Sequence, residues 1–120
     1  MDFKKILTFS IVILLVLVGV AIILGSNKDR RVFFVNDFKE SIQNTISSNT
    51  DNTYSFEIVK VKGEIDDTII ITPCKSCSPM KLSGKINEKF KSEFTQGNSI
   101  MNFNPYKATK GHLKITHKIR

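Results

Sequence analysis

The chain has 120 residues, 41% of them hydrophobic, with 18 Lys and Arg against 11 Asp and Glu for a formal charge of +7. Residues 6–24 form 19 consecutive positions without a charge, leaving about 95 residues for anything that folds in water, one small domain at most. That length excludes a barrel of eight βα units, a dinucleotide fold with a separate substrate lobe, and a polytopic transporter in one subunit.

In chain order, residues 1–5 are a short flank with Lys4 and Lys5, followed by the apolar run ILTFSIVILLVLVGVAIIL. Nineteen helical residues at 1.5 Å each span roughly 28 Å, close to the hydrocarbon thickness of a bilayer. We expect residues 6–24 to be an uncleaved transmembrane anchor. A cleaved signal peptide is the alternative, but the run exceeds the usual signal core and no small-x-small site follows it. The basic residues flanking the run give conflicting orientations: Lys28, Arg30 and Arg31 outnumber Lys4 and Lys5, which favours a cytoplasmic domain. The Ser-, Thr- and Asn-rich composition downstream is of the exported kind, and we expect the domain to be extracytoplasmic.

Residues 25–35 read as a juxtamembrane segment and 36–120 as the folded domain. Asp37 and Glu40 have capping-box spacing, and Phe38, Ile42 and Ile46 recur every four residues, which predicts a helix. Residues 47–53 are a loop by composition. Val59, Val61, Gly63 and Ile65 then alternate with Lys60, Lys62 and Glu64, the pattern of a half-solvated strand. Asp66 and Asp67 suit a tight turn into a buried strand, Thr68 to Thr72, ended by Pro73. Lys81 to Ile86 reads as a further strand. Ile86, Phe90 and Phe94 fit a helical stripe and a strand face equally, and Met101 to Phe103 reads as a short strand. Leu113, Ile115, His117 and Ile119 alternate with polar residues in a C-terminal strand. The expected fold class is α+β: one N-terminal transmembrane helix, then a small, mainly antiparallel β domain with one or two short helices.

Chemistry is sparse. Cys74-Lys-Ser-Cys77 is the one intrinsically reactive motif, since two thiols at this spacing can exchange a disulfide. It follows an apolar strand, yet Pro73 replaces the aromatic residue and Lys-Ser the Gly-Pro of thioredoxin, so a structural disulfide is the commoner reading than a redox site. Export would favour its oxidation. The order C-x-x-C…H-x4-H contains a zinc-type ligand set, but 34 residues separate Cys77 from His112. His112 and His117 also differ by an odd number, and so face opposite sides of a regular strand. His117, on the face of Leu113 and Ile115, reads as a core histidine. No metal or other cofactor is expected, and neither a phosphate loop nor a G-x-S-x-G elbow occurs.

Charge is the stronger signal because it is uneven. Residues 26–74 hold 6 Lys and Arg and 8 acids; residues 75–120 hold 10 and 2. A basic half of this kind attracts anionic lipid, acidic polymer or an acidic protein, with Lys107, Lys110, Lys114 and Lys118 as its candidate contacts. Nucleic acid is disfavoured, because the cations are nearly all Lys and no aromatic stacking platform is legible. The alternative is a solvated lysine-rich sheet face with no ligand. The sequence thus points to a single-pass, membrane-anchored binding or accessory domain rather than an enzyme. A membrane-anchored thiol–disulfide protein using Cys74 and Cys77 is the alternative.

Overall fold

Period-two alternation runs through nearly every segment of residues 28–120, which the computed structural model describes, and it is expressed as strand throughout. Eight strands form: β1 (Arg30–Val35), β2 (Ile42–Ser47), β3 (Phe56–Ile65), β4 (Ile69–Thr72), β5 (Met80–Leu82), β6 (Lys85–Glu93), β7 (Asn98–Asn104) and β8 (Gly111–Ile119). They build two four-stranded antiparallel sheets with orders β1-β8-β3-β6 and β2-β7-β4-β5, named here sheets I and II. Their apolar faces pack on each other, the arrangement of a β-sandwich.

The expected α+β class is therefore overturned: the described residues are all-β, with no helix. The helix expected around residues 37–46 is a loop running into β2. The reason is arithmetic. A four-residue recurrence is a multiple of two, so Phe38, Ile42 and Ile46 fit one face of a strand as well as one face of a helix. The buried residue between the two isoleucines is Asn44, which puts the inward face at every second position. Ile86, Phe90 and Phe94 resolve in the same way, with the first two on β6. No helix of the described residues is long and apolar enough to cross a membrane, and the anchor expected at 6–24 lies outside them.

Three further expectations change. Asp66-Asp67 is not a hairpin turn, because β3 and β4 belong to different sheets. Asp66 instead accepts bonds from Thr109 N (2.9 Å), Thr109 Oγ1 (2.6 Å) and Lys110 N (3.0 Å), tying two inter-sheet connections together. These donors, the Thr109 hydroxyl first, hold its carboxyl down at about 2. The strand expected over 81–86 is split at Gly84, whose φ of 69° is a left-handed conformation, so that β5 ends in sheet II and β6 starts in sheet I. The segment assigned as juxtamembrane contributes β1, an edge strand paired with β8 from Arg30↔Lys118 to Val35↔Leu113.

The core lies in two parts between the sheets. The larger includes Val59, Val61, Ile71, Met101, Phe103 and Ile115; the smaller is Ile46, Tyr54, Phe94 and Ile119. Each such side chain contributes roughly 1.5–3 kcal/mol when taken fully out of water. Tyr54 and Phe94 meet edge-to-face at 6.1 Å, and Tyr54 Oη donates to Asp29 Oδ1 (3.0 Å), which fastens the entry of β1 to the smaller core. In the larger core β3 and β8 approach closely at Gly63: a Cβ there would overlap the His112 carbonyl, and its φ is 151°. Only glycine fits both conditions.

Candidate functional site

Three features of the fold bear on function: a polar layer inside the sandwich, a disulfide at one end of it, and the outer face of sheet I.

The polar layer separates the two apolar clusters. Its members are inward-facing residues of four strands, offset by two positions within each sheet: on β3 and β8 Glu57 is opposite Ile119 and His117 opposite Val59, and on β2 and β7 Asn44 is opposite Met101 and Ser99 opposite Ile46. His117 is fully buried and bridges the sheets. Asn44 Nδ2 donates to His117 Nδ1 (2.8 Å), so the imidazole carries its proton on Nε2 and donates it to Ser99 Oγ (2.8 Å). The Ser99 hydroxyl is in turn within hydrogen-bonding reach of the buried Glu57 carboxylate. Burial drives the His117 pKa down to about 4, and burial likewise raises that of Glu57, against the Ser99 bond. Glu57 Oε1 has no hydrogen-bond partner among the described residues. A serine bonded to a histidine has the ingredients of a nucleophile, but Ser99 is 0% exposed and no substrate reaches it. The layer joins the sheets, and His117 is the core histidine that the alternation predicts.

Cys74 and Cys77 are joined in a disulfide with Cα atoms 4.9 Å apart, in the connection from β4 to β5. Cys74 is buried, and Cys77 is partly exposed with its Sγ 3.9 Å from Ser92 Oγ on β6. The pair therefore closes a connection within sheet II, beside β6 of sheet I. The described residues contain no helix whose N-terminus would lower a thiol pKa after the first cysteine. The zinc-type set is dispersed: the sulfurs bond each other, His112 is exposed, and His117 faces the interior. Among the described residues no group of three or more His, Cys, Asp or Glu is placed to hold a metal ion.

The outer face of sheet I is the most distinctive surface, with Val32, Thr116 and Ile58 buried among its charged side chains. Paired residues of an antiparallel sheet point to the same side, so its register gives three adjacent rows. They are Phe34–Lys114–Lys62–Asn87, Val32–Thr116–Lys60–Lys89 and Arg30–Lys118–Ile58–Lys91. Seven of these twelve positions are Lys or Arg and none is acidic, while the flanking rows on the same side, Phe56–Glu93 and His112–Glu64–Lys85, carry one acid each. Arg30↔Lys118, Lys62↔Lys114 and Lys60↔Lys89 are direct pairs of like charge, each unfavourable for the sheet by itself. Lys118 responds to this crowding. Partial burial lowers its pKa first, and the charges of Lys60, Arg120, Arg30 and Lys89 lower it further. Lys91 Nζ stands 3.9 Å over the Phe56 ring on the same face. Lys60, Lys62, Lys89 and Lys114 also line a shallow cavity of ≈ 280 Å³.

The four lysines singled out from the sequence divide in two. Lys114 and Lys118 stand on this face. Lys107 and Lys110 lie in the connection from β7 to β8, away from it: Lys107 Nζ is 5.4 Å from the Tyr106 ring, and Lys110 N bonds Asp66. Arg30, Lys60, Lys62, Lys89 and Lys91 complete the face and come from three other strands. The signal for these four lysines was their spacing at every second position along β3 and β6, Arg30 carried none, and that the strands are neighbours was not legible. Compared with known proteins, the chain matches no family model, no curated protein and no solved structure.

Proposed function

We infer that this protein is a membrane-tethered, non-enzymatic binding domain whose basic face on sheet I holds an anionic partner. One observation carries the reading: three direct like-charge pairs stand on adjacent rows with no acid among them. A face that only needed to be soluble would intersperse the two signs and avoid the repulsion. An anion laid across the rows neutralises both members of each pair at once. Lysine suits the task, since its ammonium is a compact point charge that needs no fixed angular match. The tether is residues 6–24, whose length and lack of charge fit a single bilayer span. The exported-type composition and the Cys74–Cys77 disulfide favour an extracytoplasmic domain.

The test is binding of fluorescently labelled polyglutamate to the full-length chain in neutral phosphatidylcholine nanodiscs at 50 and 200 mM salt. Binding that weakens steeply with salt is expected, because each neutralised ion pair is screened. No binding at 50 mM salt, or binding indifferent to salt, would overturn the reading.

A further inference from the structure

We propose that the anionic partner is the lipid surface of the membrane to which the chain is tethered, on which sheet I lies flat; this rests on the anion-binding reading above. The placement of the face relative to the tether is the main argument. Arg30, the first residue of β1, is itself a member of the basic face, in the row with Lys118. Only residues 25–29 separate it from the expected span, a reach of at most about 17 Å when fully extended. The face therefore begins where the tether ends. Its three rows extend about 14 Å along the strands and about 14 Å across them, at ~3.4 Å per residue and ~4.8 Å per strand. Even with the linker fully extended, the near end of the patch stays about two Debye lengths from the end of the span at physiological salt, and a shorter linker path brings the whole face to the headgroups. Juxtamembrane cations so placed each strengthen attachment to an anionic leaflet.

An exposed aromatic at the far end of the face is the second observation. Phe34, in the row with Lys114 and Lys62, is 54% exposed. On a soluble polyanion this ring finds nothing to bury it. On a bilayer it enters the interfacial region while the surrounding lysines stay with the phosphates. Arg30 near the tether and Phe34 at the distal end give the face two points of attachment along β1, which is the geometry of a sheet lying flat.

The chain has no tryptophan, so Phe34→Trp supplies a single optical probe at an exposed position. The full-length variant is reconstituted in vesicles of phosphatidylcholine whose acyl chains carry bromine, with and without 30% phosphatidylglycerol. The expected result is quenching of the introduced indole only in the anionic vesicles, reversed at high salt. A separate Tyr106→Trp protein reports from the loop beside Lys81 on sheet II, and its emission stays unquenched. Adding Lys62→Glu and Lys114→Glu to the Phe34→Trp chain lowers the docked-to-free ratio by at least roughly thirtyfold, with an unchanged circular-dichroism spectrum. The proposal is overturned if the Phe34→Trp protein is unquenched in anionic vesicles, is quenched equally without phosphatidylglycerol, or is quenched no more than the Tyr106→Trp protein. Polyglutamate added to the phosphatidylcholine sample separates the two levels of inference. If it shifts the emission of the Phe34→Trp protein while anionic lipid does not, the lipid proposal falls and the anion-binding reading stands; if neither acts, both fall.

Discussion

Acidification should destabilise this domain chiefly through one residue. His117 is neutral in the folded protein down to about pH 4, whereas the unfolded imidazole takes up its proton near 6.5. Between those values the unfolded chain binds a proton that the folded chain refuses, so stability falls as pH drops through 6.5 and the loss is complete near 4. The gap between those two values corresponds to about 3 kcal/mol, a large part of the 5–15 kcal/mol typical of a small domain. The cause is geometric: Asn44 occupies Nδ1 as a donor, so a second imidazole proton would point at an N–H in a site closed to water. Glu57 acts in the opposite sense. Its raised pKa lets the folded state hold an extra proton above pH 4.5, and that stabilisation is lost as pH rises through the raised value. Exposed Arg31 is the charged group that β1 sets in register with His117. Urea unfolding of the full-length chain in micelles, followed by circular dichroism from pH 7.5 to 4, measures the sum. His117→Gln keeps a side-chain amide in place but cannot titrate. It should cost about 1–3 kcal/mol at pH 7.5, as a broken buried network does, and its stability should then change with pH by about 3 kcal/mol less than that of the wild type. Parallel curves for the two proteins would refute the role assigned to His117.

Other outcomes follow from the same geometry. Lys89→Glu turns the Lys60↔Lys89 pair into one of opposite charge and should raise the low-salt stability by a few tenths to about 1 kcal/mol while weakening polyglutamate binding. Gly63→Ala should lower stability by about 2 kcal/mol or more, since its Cβ meets the His112 carbonyl; thermal melts read the loss. Replacing both cysteines by serine removes a four-residue ring, for which chain entropy gives about 2 kcal/mol. The urea midpoint should fall accordingly while salt-dependent polyglutamate binding persists; a redox role predicts loss of function with the fold intact.

Which parts of this fold could be read in advance depends on periodicity. β3 and β8 alternate cleanly over many residues, and their inward faces are the ones the sequence marks, His117 included. The segments at 38–46 and 86–94 carry hydrophobics at intervals of four, a spacing common to both secondary structures. Only Asn44, buried by its bond to His117, decides for a strand in the first, and an asparagine carries no such message in isolation. The division into two sheets was also hidden, because the turn-like Asp66-Asp67 and the Gly84 break look the same whether the next strand returns to its neighbour or crosses to the opposite sheet. The basic face shows the same limit. The charge asymmetry between the halves of the chain was legible, yet Arg30, Lys60 and Lys62 come from the half that is acidic on balance. Pairing in space, not position in the chain, brings them beside Lys114 and Lys118.

The central claim is that this one face, not net charge, binds the anion. Lys62→Glu with Lys114→Glu and Lys107→Glu with Lys110→Glu each reverse two charges, taking the formal charge from +7 to +3. Polyglutamate affinity of both full-length variants in neutral nanodiscs at 50 mM salt is the measurement. A loss of at least about tenfold for the first pair and little change for the second is the predicted result. Equal losses would mean that the chain responds only to its overall charge, and the account of sheet I as a binding face would be wrong.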